Sequence, residues 1–583
     1  MHTKKTAMVR DDLPCRRHRS VTVTVAVATS LVTAAGCSLA AQIDVGNPDV
    51  ELRWDNTVKY SAGVRVKNRS DVLTQFVPPP ADGGAYPSAL NGDDGDRNFK
   101  RGSLISNRLD LLSEMDLVYR KSFGLRVSAA AWYDAVYNQT NANDSPATNN
   151  SLSVPSNEFT KITRNLHGRK AEVLDAFVFG ATDVGTARLS GRLGRHTVLW
   201  GESLFFGNNA IAGTQSPVDA IKASSVPGST TKEILMPVGQ LSGQLQLSPA
   251  LTLMGYYQYE WDRTRIPATG SYFSANDFLF GGGERIRVAP GVPNGIARGA
   301  DIEAKDSGQF GLGLRTQLGE FDLGFYATRF HAKTPVAYTQ PGVGGIPGAL
   351  IGQYRLVFPE GIKAFGVSAT TTVGPVNYAA EVSVRRNTPL TSDPQTVIGA
   401  ALADNNDHPL YAIGNTAHAN LSLIWTMPRF FLSDEPSLTM EVAYNELTSC
   451  TRNCTPTAAA SGRANGALDP GTSRRAVAIR AAFSAPQRNV LDGMDLTPSI
   501  SVGYNRGRSP VVVFGPDKGG DATFTLAGNY LTVWDFALAY THYYGKENTA
   551  AYASSSPTVN GTFTFAQALM DRNFISLSVR RTF

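Results

Sequence analysis

Alternation of apolar and polar residues dominates this chain. From Asp571 to Phe583 (DRNFISLSVRRTF), Ile575, Leu577, Val579 and Phe583 fall on one face of an extended segment. Arg572, Phe574, Ser576, Ser578, Arg580 and Thr582 fall on the other. Successive side chains of a strand point to opposite faces, so this period of two predicts a half-apolar strand, interrupted on its apolar face by Arg581. The pattern also opens the body of the chain. Between Val50 and Lys67, Leu52, Trp54, Val58, Tyr60, Ala62, Val64 and Val66 oppose Arg53, Asp55, Lys59, Ser61 and Arg65. It returns over Gly102–Tyr119, where Leu109, Leu111, Met115 and Leu117 oppose Arg108, Asp110, Glu114 and Asp116, and again over Leu125–Tyr137.

The connections alternate as regularly as the residues. Short turns near Thr182–Gly185, Ser248–Ala250, Gly319–Glu320, Gly374–Pro375, Asp492 and Tyr530–Leu531, with a longer one near Pro428–Pro436, join strands in pairs. Between pairs lie long stretches rich in Gly, Pro, Ser and Asn, at about 140–168, 203–234, 264–306, 332–361, 387–414, 449–472, 507–520 and 545–570. The prediction is an all-β chain: a single transmembrane antiparallel β-barrel of about 18 strands (16–20), with short periplasmic turns and long extracellular loops. A soluble sandwich has no reason to alternate its connections, and a solenoid would show one fixed repeat length. A final strand with a free edge is an aggregation hazard in a soluble protein, whereas in a barrel it pairs with the first strand and closes the wall. Trp54, Trp261, Trp425 and Trp534 fall on apolar faces near strand ends, as an interfacial girdle requires. The body contains no apolar run of about 18 residues, so spanning helices are excluded.

Charged residues make up only 18% of the chain, and 55 Gly with 21 Tyr suit many strands and turns. The first forty residues read as a signal peptide: Lys4, Lys5, Arg10, Arg16, Arg17 and Arg19 precede the apolar Val21–Ala35, and Ser38-Leu39-Ala40 supplies a cleavage site. Residues 1–40 are therefore assigned to general secretory export and 41–583 to the barrel; Cys37, in AAGC, leaves a lipoprotein alternative open. Removing 1–40 takes six basic and two acidic residues from totals of 54 and 49, leaving a net charge of about +1. The basic balance thus belongs to the leader and gives no reason to expect nucleic acid. The two cysteines that remain, Cys450 and Cys454, lie in a polar outer stretch and are expected to form a local disulfide.

The polar faces supply the chemistry. Arg108, Asp110, Glu114, Asp116, Arg126 and Asp134 point inward with Trp132 on the second and third strands. Arg188, Arg192, His196, Trp200 and Glu202 share parity on a fifth strand placed at about 186–202. Acids and bases are mixed, so these pore-lining candidates do not make a simple ion filter; pairing across the inner wall is the structural alternative. The stretch Ser203–Glu233 is the third outer loop, the one that in general porins narrows the channel, and Asp219 and Lys222 are its constriction candidates. His418, Asn420 and Ser422 share a strand face and carry the residue types of a lipase, but parity turns them away from lipid. No nucleophile elbow, zinc-protease or phosphate-loop motif is present, so neither enzyme nor cofactor is expected. Asp93, Asp94 and Asp96 could ligate a cation, but a solvated surface loop is the better reading and no metal is expected.

SNRLDLLSEMDLVYR (Ser106–Arg120), VSAAAWYDAVYN (Val127–Asn138), RLGRHTVLWGE (Arg192–Glu202), GTQSPVDAIKASSVPG (Gly213–Gly228) and GSYFSANDF (Gly270–Phe278) resemble one family. It is the group of roughly 600-residue Gram-negative proteins catalogued as domain of unknown function 1302. The resemblance covers nearly the whole mature chain and implies a Gram-negative outer-membrane location, in contact with bilayer and lipopolysaccharide. It also implies genomic neighbours such as a periplasmic lipoprotein and an inner-membrane exporter, and it brings no active site. Phe583, with apolar residues at alternate positions before it, resembles the signal read by the barrel-assembly machinery. The function expected is passive passage of small solutes, hydrophobic or aromatic ones included. The alternative is an outer-membrane component or scaffold of an envelope transport assembly for lipids or hydrophobic compounds.

Overall fold

Eighteen antiparallel strands close on themselves. In the computed structural model they are β1 (Val50–Arg65), β2 (Leu104–Tyr119), β3 (Phe123–Asp134), β4 (Arg169–Val184), β5 (Ala187–His196) and β6 (Val238–Ser248). There follow β7 (Leu251–Gln258), β8 (Gln309–Leu318), β9 (Phe321–Phe330), β10 (Ile362–Val373), β11 (Val376–Pro389) and β12 (Ile413–Thr426). The wall is completed by β13 (Ser437–Arg452), β14 (Arg475–Ser484), β15 (Met494–Gly507), β16 (Gly519–Tyr530), β17 (Trp534–Tyr544) and β18 (Phe574–Thr582). The structure describes residues 41–583 except 75–84, 88–90, 145–151, 288–294, 343–349, 393–394, 398–402, 431–432, 456, 459–463, 466–467, 551 and 555–562. The signal peptide assigned to 1–40 lies outside the described residues.

Each strand pairs with its neighbour in sequence, and β18 pairs with β1 from Thr57↔Thr582 to Arg65↔Phe574. Past that register, Asn56 and Phe583 exchange backbone hydrogen bonds of 3.1 and 2.8 Å, so the last residue of the chain completes the seam. The short segment Ala41–Ile43 pairs with β1 beyond that point, and Gln487–Leu491 carries β14 past Pro486.

The wall has its apolar side outward. Leu312, Leu421 and Val382 are 64%, 58% and 56% exposed, whereas Lys59, Glu441 and Asn420 on the polar faces are at 3%, 0% and 5%. A water-soluble protein does not expose so continuous an apolar surface, but a membrane barrel must. The interruption at Arg581 is accommodated at the rim of this surface: its guanidinium lies 5.0 Å from the ring of Trp534 and 4.6 Å from that of Phe583. A cation held over two aromatic faces fits the zone between hydrocarbon and water. No helix among the described residues is long and apolar enough to cross a membrane.

The eighteen strands and the alternating connections agree with the sequence pattern; four details differ. β5 stops at His196, so Trp200 and Glu202 belong to the loop that follows and not to the strand. Trp261 is only 9% exposed and packs on Phe358 (4.9 Å between rings) in the outer loops, so it is no part of a lipid-facing girdle. Those loops are more than connections. Segments Arg285–Arg287, Gly295–Arg298, Val336–Pro341, Leu350–Val357 and Gln395–Thr396 form a second, five-stranded sheet, with Trp261, Tyr354, Leu356 and Phe358 in its core.

Finally, Asp93, Asp94 and Asp96 are buried, not solvated. Asp96 pairs with Arg572 (2.8 Å) and Arg65 (3.5 Å), and Arg572 donates to the carbonyl of Tyr272 (2.6 Å), tying the first and fourth outer loops to the start of β18. Burial alone would raise the Asp96 carboxyl, but the charge and hydrogen bonds of Arg572 hold it below its usual range. Asp93 and Asp94 gather with Asp277, their ligand oxygens within 4.8 Å of one another. Burial first, then repulsion from Asp94, pushes Asp93 and Asp277 well above the ordinary carboxylate range.

Candidate functional site

After His196 the chain leaves the wall and turns into the barrel, and it does not rejoin until Val238. This third outer loop makes two lobes. Trp200 begins the first, with its ring 5.0 Å from Tyr256 on β7 and 6.0 Å from Tyr326 on β9. Gly311 on β8 leaves the space: a Cβ there would overlap the Tyr256 ring and lie 3.0 Å from the indole.

The loop backbone then crosses to the far wall, where two carboxylates receive it. Glu381 on β11 accepts the N–H groups of Glu202 (3.0 Å) and Ile211 (2.5 Å). Glu441 on β13 accepts those of Leu204 and Phe206 (both 3.1 Å) and of Phe205, together with the Ser203 hydroxyl (2.8 Å). Loop backbone that is buried in a lumen needs such acceptors, because an unmet N–H costs about 1–3 kcal/mol. Arg385 on β11 donates in the other direction, to the carbonyls of Asn208 (3.0 Å) and Ala210 (2.8 Å). Asn209 fills the remaining space, donating to Asn420 (2.9 Å) and meeting His418 at 3.0 Å.

His418 and Asn420 are thus engaged with the loop. Ser422 lies four residues along the same strand from His418, about 13 Å at strand rise. Those two side chains are too far apart for the hydrogen bond a nucleophile and base require.

The second lobe returns to the side where the chain began. Asp219 caps the short helix Ala220–Ser225 by accepting from the N–H of Lys222 (2.9 Å), and its other oxygen meets Arg265 (3.2 Å). Arg265 also binds Glu172 on β4 (2.5 Å). Lys222 lies 5.0 Å from the ring of Trp132, which Arg108 (4.7 Å) covers as well. Two ion pairs hold the end of the lobe: Lys59 with Glu233 (3.0 Å) and Lys232 with Glu114 (2.5 Å).

The polar residues singled out by parity therefore have distinct positions. Arg108 and Asp110 pair with each other at 2.6 Å, both buried. Glu114 is shared between Arg126 (2.9 Å) and the loop, and Asp116 lies 3.7 Å from Arg126. Asp134 ends β3 by accepting from Ser106 (2.7 Å) and from the N–H groups of Asn107 and Val136 (both 3.0 Å). His196 meets Ser242 at 2.7 Å, and Glu202 pairs with Arg315 at 2.6 Å. Arg188 sits by the short turn, 3.7 Å from Asp183, and Arg192 lies 5.5 Å from the ring of Phe177.

The loop is anchored on β1 and β2, and through Arg265 on β4, on one side, and along β7 to β13 on the other. Between those anchor points, in order round the wall, stand β14 to β18. Their inner faces carry Arg480 paired with Asp521 (2.6 Å), Thr523 beside Thr541 (3.0 Å), and Asp535 paired with Arg580 (2.8 Å). Sequence reading passed over this arc, and over Glu381, Glu441 and Arg385. Each was visible only as one more polar residue of the right parity. Cys450 and Cys454, on the outer end of β13 and just past it, are joined by a disulfide.

A family model described as "Protein of unknown function (DUF1302)" matches residues 20–583. No curated protein matches the sequence. Among solved structures, the Acinetobacter baumannii protein OccAB2 is similar at 10% identity, over 91% of this chain and 98% of its own, with a TM-score of 0.39. OccAB3 of the same organism is similar at 11% identity over 91% and 99%, also with a TM-score of 0.39. The outer membrane channel DcaP of A. baumannii is similar at 8% identity over 94% and 100%, with a TM-score of 0.36.

Proposed function

We infer the function of this chain, which belongs to the DUF1302 family, from its own geometry: it is an outer-membrane channel for passive movement of small solutes, hydrophobic or aromatic ones included. The observation that carries this reading is the arrangement of the third outer loop. It is pinned to two parts of the inner wall, touches β18 where Gly228 lies against Ser578, and leaves the polar arc of β14 to β17 between its anchors. An eighteen-strand wall is wide enough for an aqueous path, and a loop fixed across such a path sets its width. Asp219 and Lys222 act in this reading as fasteners of the constriction, not as its charged lining, since both are buried and partnered.

Mature protein reconstituted in liposomes tests the proposal. It should admit small neutral and aromatic solutes at rates that fall steeply with solute size, and vesicles that stay impermeable to all of them would refute it. Stable co-purification with an envelope lipoprotein, together with that impermeability, is the outcome expected of a transport-assembly scaffold instead. Placement in the bilayer would depend on the barrel-assembly machinery reading Phe583, whose removal should leave the chain in the periplasm.

A further inference from the structure

On the turn side of the third outer loop, a recess of about 420 Å³ opens between the loop and the inner faces of β4 to β8. Among the described residues its charged lining is Lys121, Arg192 and Arg315, with no carboxylate. That sets it apart from the paired acids and bases elsewhere in this lumen. Arg315 is partly neutralised by Glu202 at 2.6 Å. Arg192 makes no ion pair within 4 Å among the described residues; it is exposed to the recess, and its ring contact is Phe177 at 5.5 Å. Asp175, a carboxylate on β4, accepts the hydroxyl of Ser128 at 3.0 Å.

The rest of the lining is of a different kind. Phe179, Leu199, Trp200 and Met254 supply apolar patches in a lining that is otherwise polar, with Ser190, Ser242 and Gln244 among its neutral groups; Phe179 lies opposite Arg192 in the strand register, and Trp200 and Met254 lie at the β7–β8 end. The strand register puts Arg192 opposite Ser242 and Arg315 opposite Thr252, so the two guanidinium groups come from β5 and β8. These strands are three spacings apart, roughly 14 Å along the wall. An extended ligand body fits between them with its charged end at Arg192.

We propose that this recess binds amphipathic monocarboxylates, with Arg192 holding the carboxylate and the Trp200–Phe179–Met254 surface holding an aromatic or aliphatic body. The warrant is chemical. A guanidinium matches a carboxylate in a two-bond fork, and pockets of this size take ligands through apolar walls with a few placed polar groups. The inference rests on the channel reading and narrows it: the recess is a binding station on the turn side of the constriction, so anionic solutes dwell there as they pass.

The test uses the purified full-length mature protein in detergent, with benzoate and its neutral analogue benzamide as probes and calorimetry as the readout. Benzoate should bind about tenfold more tightly than benzamide. R192Q should abolish that preference, R192K should keep part of it, and R429Q, on an exposed turn, should leave it unchanged. Equal binding of the two probes, or a preference that survives R192Q, overturns the proposal. If R192Q fails to give a folded barrel, R192K decides: it keeps the charge but loses the fork, and an undiminished preference there overturns the proposal too. Bilayer conductance measured alongside separates the two ideas. Conductance without benzoate preference removes only the recess assignment, whereas preference without conductance removes only the channel.

Discussion

The carboxylate of Glu441, on the inner wall at β13, accepts the backbone N–H of Leu204 at 3.1 Å, although 237 residues separate them in sequence. Three further donors of the same loop converge on that carboxylate, and Asn420 adds a fifth at 2.7 Å. One buried acid thus gathers the backbone of a loop that starts on the opposite side of the barrel, beside the anchors Glu381 and Arg385. Replacing Glu441 by Gln turns one acceptor into a donor and removes the charge from all the bonds. The first lobe should then detach at a cost of about 1.5–3 kcal/mol per charged bond lost. Single-channel recording should show a larger and noisier conductance. An unchanged current would show that Glu441 does not hold the lobe and that Glu381 and Arg385 suffice.

Trp200 depends on what is missing from β8. Gly311→Val would drive a branched side chain into the Tyr256 ring and against the Trp200 indole, with a Cβ 3.0 Å from the indole. The tryptophan should move off Tyr256 and Tyr326, giving a red-shifted fluorescence, with a loss of about 1–3 kcal/mol from overpacking. A spectrum like that of the parent protein would contradict the packing described here.

The outward face makes a prediction of opposite sign from that of a soluble protein. Leu421, 58% exposed at mid-strand, should be indifferent to Arg if it faced water. Facing lipid, Leu421→Arg should lower the stability of the reconstituted barrel by about 2–4 kcal/mol. Reversible denaturant unfolding in lipid would read the difference.

The outer junction of Asp93, Asp94 and Asp277 should respond to pH. Asp93 and Asp277 titrate above the ordinary range in the folded state, so the native junction binds more protons than the opened one once pH exceeds the unfolded value of about 3.9. Its stability is therefore greatest below that value and falls as pH rises through the raised range. Asp96, shifted the other way, loses its contribution only in stronger acid. Hydrogen-exchange protection of the Arg97 and Asn98 amides, which donate to Asp93 and Asp94 carbonyls at 2.9 and 3.0 Å, should be higher at pH 5 than at pH 8. Asp277→Asn should flatten the difference. Equal protection in the parent protein would show that the cluster is neutralised by other means.

The barrel was legible because its periodicity is repeated at every strand and one slip in register would turn apolar residues inward all along it. The loops were not, since what organises them is contact between segments far apart in sequence. Nothing near Trp261 indicates that it will meet Phe358, and nothing in NGDDGD indicates that Arg572 will bury Asp96. Parity placed Arg108 and Glu114 on the inner face. It carried no information that one would pair with its strand neighbour while the other received Lys232 from the loop. Glu381 and Glu441 stand out only once the loop is seen to end its backbone on them.

If the barrel is a channel, the third outer loop laid across its lumen sets its width, and conductance measures that directly. Planar bilayers holding the parent barrel should show a small, finite unitary current. A variant in which residues 203–233 are replaced by a short Gly-Ser linker should show a current several-fold larger with the same folded mobility. Equal currents from the two proteins, or none from either, would contradict it.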